Sequence, residues 1–244
     1  MTNREIILDA DGLTVDEIGA LWAFLHGDIM EPGIRSRLRE YWGLCPRHAW
    51  GHAVVEIELW EAGAGARHGH QPFDVGVLHD ALLSQMAGAL AGRHHTSTRV
   101  LRREGGCYVC QQLGGGAEPV GYAGFDSTAL AAEANRMIYT RRWLAETKPV
   151  WELVTCPTCA GTSTGRLCRT HLLEASTDAA SAADTGTYLA GLDRRLRLLV
   201  DSMTQNGTPS TPDADASWVE AVAWFAGWSF PLALSSDDSN RINP

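Results

Sequence analysis

The chain has 244 residues, of which 45% are hydrophobic and 20% are charged, and its 29 acidic and 20 basic residues give a formal charge of −9. This length and composition suffice for a sizeable buried core in one or two domains, which excludes a disordered chain and a miniprotein held together by disulfides. The acidic excess also argues against a protein that coats nucleic acid through phosphate contacts.

The apolar stretches predict a cytoplasmic protein without a membrane span. The first 30 residues carry several acidic side chains and lack an apolar run as long as that of a signal peptide. Nowhere does the chain contain a stretch of about 18 uncharged apolar residues, the length that crosses a membrane as a helix.

The N-terminal half is dominated by helical periodicity. Thr14-Val15-Asp16-Glu17 is a capping box that predicts a helix from there to about residue 27. Pro32-Gly33, a few residues later, is predicted to interrupt the helical structure. Apolar spacing predicts three further helices, over residues 34–42, 46–61 and 75–91. Residues 96–102 are predicted to form a strand that leads to the CYVC motif.

The C-terminal half is also predicted to be helical. Residues 126–146 keep one helical phase, and residues 188–204 form an amphipathic pattern, whereas 176–186 fit either a helix surface or a loop. Residues 208–216 are predicted to be a connection before a second capping box, Ser217-Trp218-Val219-Glu220. We therefore expect a mainly α protein with units 1–125 and 126–244, or one continuous globule, and strands only as short hairpins.

The cysteines and two of the histidines form four short pairs. Six cysteines occur, and none lies outside these pairs. Six thiolates and two imidazoles supply the ligands of two closed tetrahedral Cys3His sites, for which zinc is the preferred metal. The pairs are Cys45 with His48, Cys107 with Cys110, Cys156 with Cys159, and Cys168 with His171.

Two of the pairs lie close together in the chain and predict one site. A short Gly-, Ser- and Thr-rich segment that suits a β hairpin separates the pair Cys156 and Cys159 from the pair Cys168 and His171. This layout resembles a treble-clef zinc finger. Elimination then assigns Cys45, His48, Cys107 and Cys110 to the other site, across the 58 residues that separate His48 from Cys107. A crossed combination of the pairs stays open.

Three other uses of the cysteines stay open beside zinc. Disulfides would pair the thiols in an oxidising compartment, and a CxxC motif can serve thioredoxin-like redox chemistry. An iron–sulfur cluster can also be ligated by three cysteines and a histidine.

A few other residues carry alternative chemistry. His52, Glu56, His68, His70 and His79 are candidate acid or base groups of an enzyme, although isolated histidines are expected to be solvated. The basic run 93–103 could contact nucleic-acid phosphates, but it lacks the aromatic residues that stack on bases.

The motifs GLCPRHAW (43–50), CPTC (156–159) and RLCRTHLLEA (166–175) resemble those of an uncharacterised family of bacterial and archaeal Cys/His-rich helical proteins. That family has alternating CxxC and LCxxH pairs, and the resemblance implies metal binding without an assigned activity. Here the first CxxH pair precedes the first CxxC pair, which departs from the family's order.

These observations predict a helical protein with two structural zinc ions that acts as a protein-interaction or regulatory module. The alternatives are an enzyme or biosynthetic accessory protein with a pocket between the helical units, and a nucleic-acid-binding regulator. A protein partner is expected, and self-association into a homo-oligomer is left open.

Overall fold

A computed structural model describes residues 12–61, 72–91, 98–115, 126–175 and 179–237. Within these ranges the chain is mainly helical and contains no β-strand. The helices are α1 (Val15–Leu25), α2 (Pro32–Tyr41), α3 (Pro46–Glu61), α4 (Phe73–Ala91), α5 (Tyr108–Gly114), α6 (Ser127–Ala134), α7 (Ile138–Trp151), α8 (Pro157–Ala160), α9 (Arg169–Glu174), α10 (Ala179–Ser202), α11 (Pro212–Ala226) and α12 (Ser229–Asp237). Short 3₁₀ turns occupy Asp28–Met30, Thr98–Leu101 and Glu152–Val154.

The first helices begin where their caps predict. The Thr14 side chain accepts a hydrogen bond from the Glu17 backbone, and the Glu17 carboxylate accepts one from the Thr14 backbone, so the first capping box is confirmed. Pro32, predicted to lie in a break, instead starts α2, because Glu31 caps this helix and proline fits its first turn. Helix α3 has the predicted bounds.

The predicted strand at 96–102 is wrong over its described part, which is the 3₁₀ turn Thr98–Leu101. Side chains from other elements use the carbonyls of this turn: Trp42 donates to Val100 at 2.9 Å, and Arg169 donates to Leu101 at 2.7 Å. The predicted hairpin between Cys159 and Cys168 is also absent, since α8 extends to Ala160 and residues 161–167 form a turn and irregular structure without a strand ladder.

The helix predicted over 126–146 is two helices, α6 and α7, that meet at Asn135–Met137. The Asn135 side chain accepts from the Leu13 backbone N–H and donates to the Leu13 carbonyl, both at 2.8 Å. Met137 takes a left-handed conformation, and the buried Glu58 carboxylate accepts from the Ile138 and Thr140 backbones. A carboxylate from α3 therefore caps the new helix α7.

The second predicted capping box is wrong, because α11 already begins at Pro212 and is capped by Thr211. Ser217 lies inside this helix and donates to the Ala214 carbonyl at 2.6 Å. Glu220 instead accepts from Tyr188 at 2.5 Å and from Arg195 at 2.8 Å, both on α10. Helix α10 itself begins at Ala179, so most of the segment left open by the sequence is helical.

Buried hydrophobic side chains from both halves of the chain form one cluster. Helices α4 and α10 pack side by side so closely that a Cβ at Gly76 would lie 2.7 Å from a Val200 methyl group. Helix α11 packs against α3, α4, α7 and α10, and nearly all of its side chains are buried. Most of the tryptophans whose side chains are described therefore belong to the core, and Trp50, Trp151 and Trp218 are fully buried. Within the described ranges, every helix is too short or too polar to cross a membrane.

Candidate metal centres

The structure gathers the eight candidate ligands into two groups, each able to surround one cation. Cys45, His48, Cys107 and Cys110 form the first centre, and Cys156, Cys159, Cys168 and His171 form the second. In each group the donor atoms lie within 4.8 Å of one another. The pairs combine in the local arrangement, and the crossed arrangement is not adopted.

In the first centre, Nδ1 of His48 faces three sulfurs. It lies 3.3 Å from Cys45 Sγ, 3.5 Å from Cys107 Sγ and 3.3 Å from Cys110 Sγ, and the Cys45 and Cys110 sulfurs are 3.8 Å apart. A tetrahedral ion with metal–sulfur and metal–nitrogen bonds of about 2.3 and 2.0 Å separates two sulfurs by about 3.8 Å and sulfur from nitrogen by about 3.5 Å. The donor atoms therefore have the spacing of one tetrahedral coordination shell.

The second centre repeats this geometry. Nδ1 of His171 lies 3.4 Å from Cys156 Sγ, 3.5 Å from Cys159 Sγ and 3.3 Å from Cys168 Sγ. The Cys159 and Cys168 sulfurs are 3.9 Å apart. The same histidine nitrogen thus completes both donor sets.

The two centres are built from the same local structures in opposite chain order. Cys107 and Cys156 are the N-caps of α5 and α8, with nearly equal backbone angles (φ −59°, ψ 129° and φ −59°, ψ 124°). His48 and His171 lie in the first turns of α3 and α9. The CxxH pair comes first in one centre and second in the other, so a histidine at the start of a helix meets a CxxC turn in both.

Backbone donors favour ionised sulfurs at these turns. The His48 N–H donates to Cys45 Sγ, and the His171 N–H donates to Cys168 Sγ. A hydrogen bond from Cys168 lowers the pKa of Cys156 to about 4, whereas the neighbouring thiols raise the pKa of Cys168. Three close sulfurs cannot all ionise without compensation, and a bound divalent cation would provide it.

All six cysteines are free thiols. The sulfur separations of 3.8 and 3.9 Å are far longer than the bond of about 2.05 Å in a disulfide. The disulfide alternative therefore does not describe this structure. The described residues also lack the βαβ unit that surrounds a thioredoxin-like CxxC motif.

Glu17 contacts the first centre, although sequence analysis did not identify it as part of a site. Its carboxylate accepts from His48 Nε2 at 3.2 Å and from Arg47 Nε at 2.5 Å. Burial alone would raise the pKa of Glu17, but the hydrogen bonds from Arg47, His48 and Thr14 hold it well below its usual value. Glu17 thus stays charged and fixes the His48 ring with Nδ1 toward the sulfurs.

The three candidate acid and base residues that the structure describes, His52, Glu56 and His79, do not form an open site. The Glu56 carboxylate accepts from the Asp74 backbone at 2.6 Å and from the Val75 backbone at 2.9 Å, and so caps α4. His52 and His79 are buried rather than solvated, which corrects that expectation. His79 donates from Nδ1 to the Val75 carbonyl at 2.8 Å, whereas both ring nitrogens of His52 lack a hydrogen-bond partner among the described residues. His68 and His70 lie outside the described residues.

The basic run 93–103 is described only from residue 98 onward. Within that part, Arg103 points inward: it donates to the Leu44 carbonyl at 3.1 Å and to the Phe225 carbonyl at 2.9 Å. Arg102 is exposed. At least one arginine of the run thus stabilises the fold next to the first centre.

Comparisons of the chain with protein-family models, with curated proteins and with solved structures give no match. The function must therefore be inferred from the two centres and their surroundings.

Proposed function

We propose that this chain is a zinc protein in which two structural Cys3His ions organise a helical interaction or regulatory module. The observation that carries the proposal is the donor geometry, with three sulfurs and one Nδ1 in each centre at the separations of a filled tetrahedron. Such a centre leaves no coordination position for water or substrate, which distinguishes a structural zinc from a catalytic one.

The donor set favours zinc over the alternatives. Three thiolates and one imidazole suit a borderline-soft ion without a d-electron preference. An iron–sulfur cluster would spread the cysteine sulfurs around an inorganic core, whereas here they lie 3.8 and 3.9 Å apart. A single iron ion would fit the same space, and colour distinguishes it from zinc.

Each ion would join two helices that make few direct contacts with each other. The first would fix the start of α3 to α5 across the 58 residues between His48 and Cys107. The second would hold α8 against α9. These helices have four and six residues and are too short to be stable alone. Metal-binding free energy would thereby become folding free energy.

Membership of the Cys/His-rich family with CxxC and LCxxH pairs is part of this proposal, and the motifs around Cys45 and Cys168 support it. The proposed partner is a protein, because the net charge of −9 would repel nucleic acid. Self-association is one form that this partnership could take, and light scattering of the zinc-loaded chain measures it.

Metal analysis of the anaerobically purified chain tests the proposal. We expect two zinc ions per chain and no visible absorption. Cys110→Ser and Cys159→Ser should each bind one zinc ion fewer, whereas Ser84→Ala, on the exposed face of α4, should bind both. A brown chromophore, or two zinc ions in both cysteine variants, would contradict the assignment.

A further inference from the structure

A small cavity lies beside the second metal centre and has a volume of about 170 Å³. Its walls come from distant parts of the chain: the start of α3, the metal-binding turns around Cys159 and Cys168, and the junction between α11 and α12. We propose that this cavity binds a small aromatic molecule that carries an O–H or N–H donor.

The volume suits one aromatic ring with a small substituent. An apolar cavity of about 150 Å³ in a protein core binds benzene. The cavity beside the second centre is slightly larger than that.

The apolar wall is aromatic and fixed in place. Trp50 and Phe230 are both fully buried, and their ring centroids lie 5.2 Å apart at an interplanar angle of 32°. Trp50 donates its indole N–H to the Gly227 carbonyl at 3.1 Å, which holds the ring in one orientation. A rigid wall of this kind lowers the entropic cost of binding a flat apolar ligand.

The opposite wall is electron-rich. Cys159, Cys168 and His171 of the second centre line the cavity. Three thiolates and one divalent ion give that centre a net charge of −1, so its sulfurs attract a hydrogen-bond donor. The sulfur of Cys159 already accepts from the Trp228 backbone N–H, which shows that this sulfur is oriented to accept hydrogen bonds.

This inference rests on the proposed zinc site for the charge of the wall, while the shape of the cavity is independent of it. A ligand there would touch α3, which carries His48 of the first centre, as well as Cys159 and Cys168 of the second. Occupancy would therefore strengthen the contact between the two halves of the chain.

Phenol and benzene are matched probes, since both carry the ring and only phenol carries a donor. We expect phenol to shift the indole N–H resonance of Trp50 saturably in the zinc-loaded chain, with a dissociation constant on the order of 1 mM. Trp50→Phe identifies this resonance by its loss. Benzene should bind about tenfold more weakly, because it lacks the hydrogen bond to a charged sulfur. In the cobalt-substituted chain, only phenol should shift the sulfur-to-cobalt charge-transfer band.

Cavity-filling variants complete the test. Ala226→Leu should abolish phenol binding, whereas the same substitution at the exposed Ala132 should leave it unchanged; Ser229→Leu replaces Ala226→Leu if the latter fails to fold. Zinc is measured in every sample. Two zinc ions without a saturable shift of Trp50, or phenol binding that survives Ala226→Leu, would overturn the cavity proposal alone. Fewer than two zinc ions in the unaltered chain would instead overturn the proposed function.

Discussion

Nε2 of His48 donates a hydrogen bond to Oε1 of Glu17 at 3.2 Å, so the opposite ring nitrogen faces the three sulfurs of the first centre. Arg47 donates to the same carboxylate and to the Gly12 carbonyl. Among the described residues, His171 makes no equivalent hydrogen bond to a carboxylate. The two centres thus share their donor atoms but differ in how firmly the histidine is oriented.

Glu17→Gln should therefore weaken metal binding at the first centre by about tenfold, because the amide orients His48 without supplying a negative charge. Competition with a chromophoric chelator measures the two affinities separately. The affinity of the second centre should stay unchanged, and Glu133→Gln, which alters an exposed ion pair with Arg136, should change neither. An equal loss at both centres would mean that Glu17 acts on the fold rather than on His48.

The sequence could predict the donor atoms because each pair is local. Cys45 with His48, and Cys156 with Cys159, lie three residues apart in helix-initiating turns. The Glu17–His48 contact could not be predicted, since 31 positions separate these residues and the capping box already explains Glu17. The order of the pairs gave no hint that both centres share one local geometry.

The helix boundaries that were mispredicted depend on distant contacts. The apolar residues over 126–146 keep the spacing of one helix, but the structure divides it at Asn135, whose side chain pairs with the backbone of Leu13, 122 positions away. Glu220 follows Ser217 with the spacing of a capping box, yet it points to Tyr188 and Arg195 on another helix. Local patterns identify helices, but tertiary partners decide where these helices end.

Glu56 is predicted to matter for stability rather than for proton transfer. Its fully buried carboxylate accepts hydrogen bonds from the Asp74 and Val75 backbone N–H groups at the start of α4. Glu56→Ala should lower the free energy of unfolding by about 2 kcal/mol, since the Asp74 and Val75 backbone donors lose their acceptor. Urea unfolding measures the loss. Glu146→Ala, at an exposed position on α7, is the control, and a Glu56→Ala protein as stable as the unaltered chain would contradict the capping role.

His52 should be replaceable by an apolar residue at no cost. The ring is fully buried and packs edge-on against Phe24, and within the described part of the chain neither nitrogen has a hydrogen-bond partner. Burial and the nearby His79 lower the pKa of His52 to about 3, so the ring is neutral at pH 7. His52→Leu should raise the free energy of unfolding by about 1 kcal/mol, because it removes unsatisfied polar atoms.

The matched variant for His52→Leu is His79→Leu, which loses the hydrogen bond to the Val75 carbonyl. It should lower the free energy of unfolding by about 1 kcal/mol. Both variants should retain their metal. If His52→Leu were the more destabilising of the two, a partner of His52 would be implied, and its role in the core would have to be reconsidered.

The packing of α4 against α10 should weaken as the pH rises. Arg197 bridges Asp80 at 2.6 Å and the buried Asp193 at 3.1 Å, so two carboxyl groups share one cation. Burial, followed by the neighbouring Asp80, raises the pKa of Asp193 to about 7. Because the folded pKa exceeds the unfolded one, the contribution to stability is complete below about pH 4 and is lost as the pH rises through about 7.

Asp193→Asn keeps the shape of the side chain and removes this titration. At about pH 8 the variant should be more stable than the unaltered chain, with a free energy of unfolding about 2 kcal/mol higher. This difference should shrink toward about pH 5.5, where Asp193 of the unaltered chain is protonated. The full shift would predict a larger value, but water screens Asp80 and Arg197, which are partly exposed. Urea unfolding across this range measures the difference directly, while zinc analysis verifies that both centres stay filled. A difference that is constant with pH would show that Asp193 is ionised throughout, held so by Arg197.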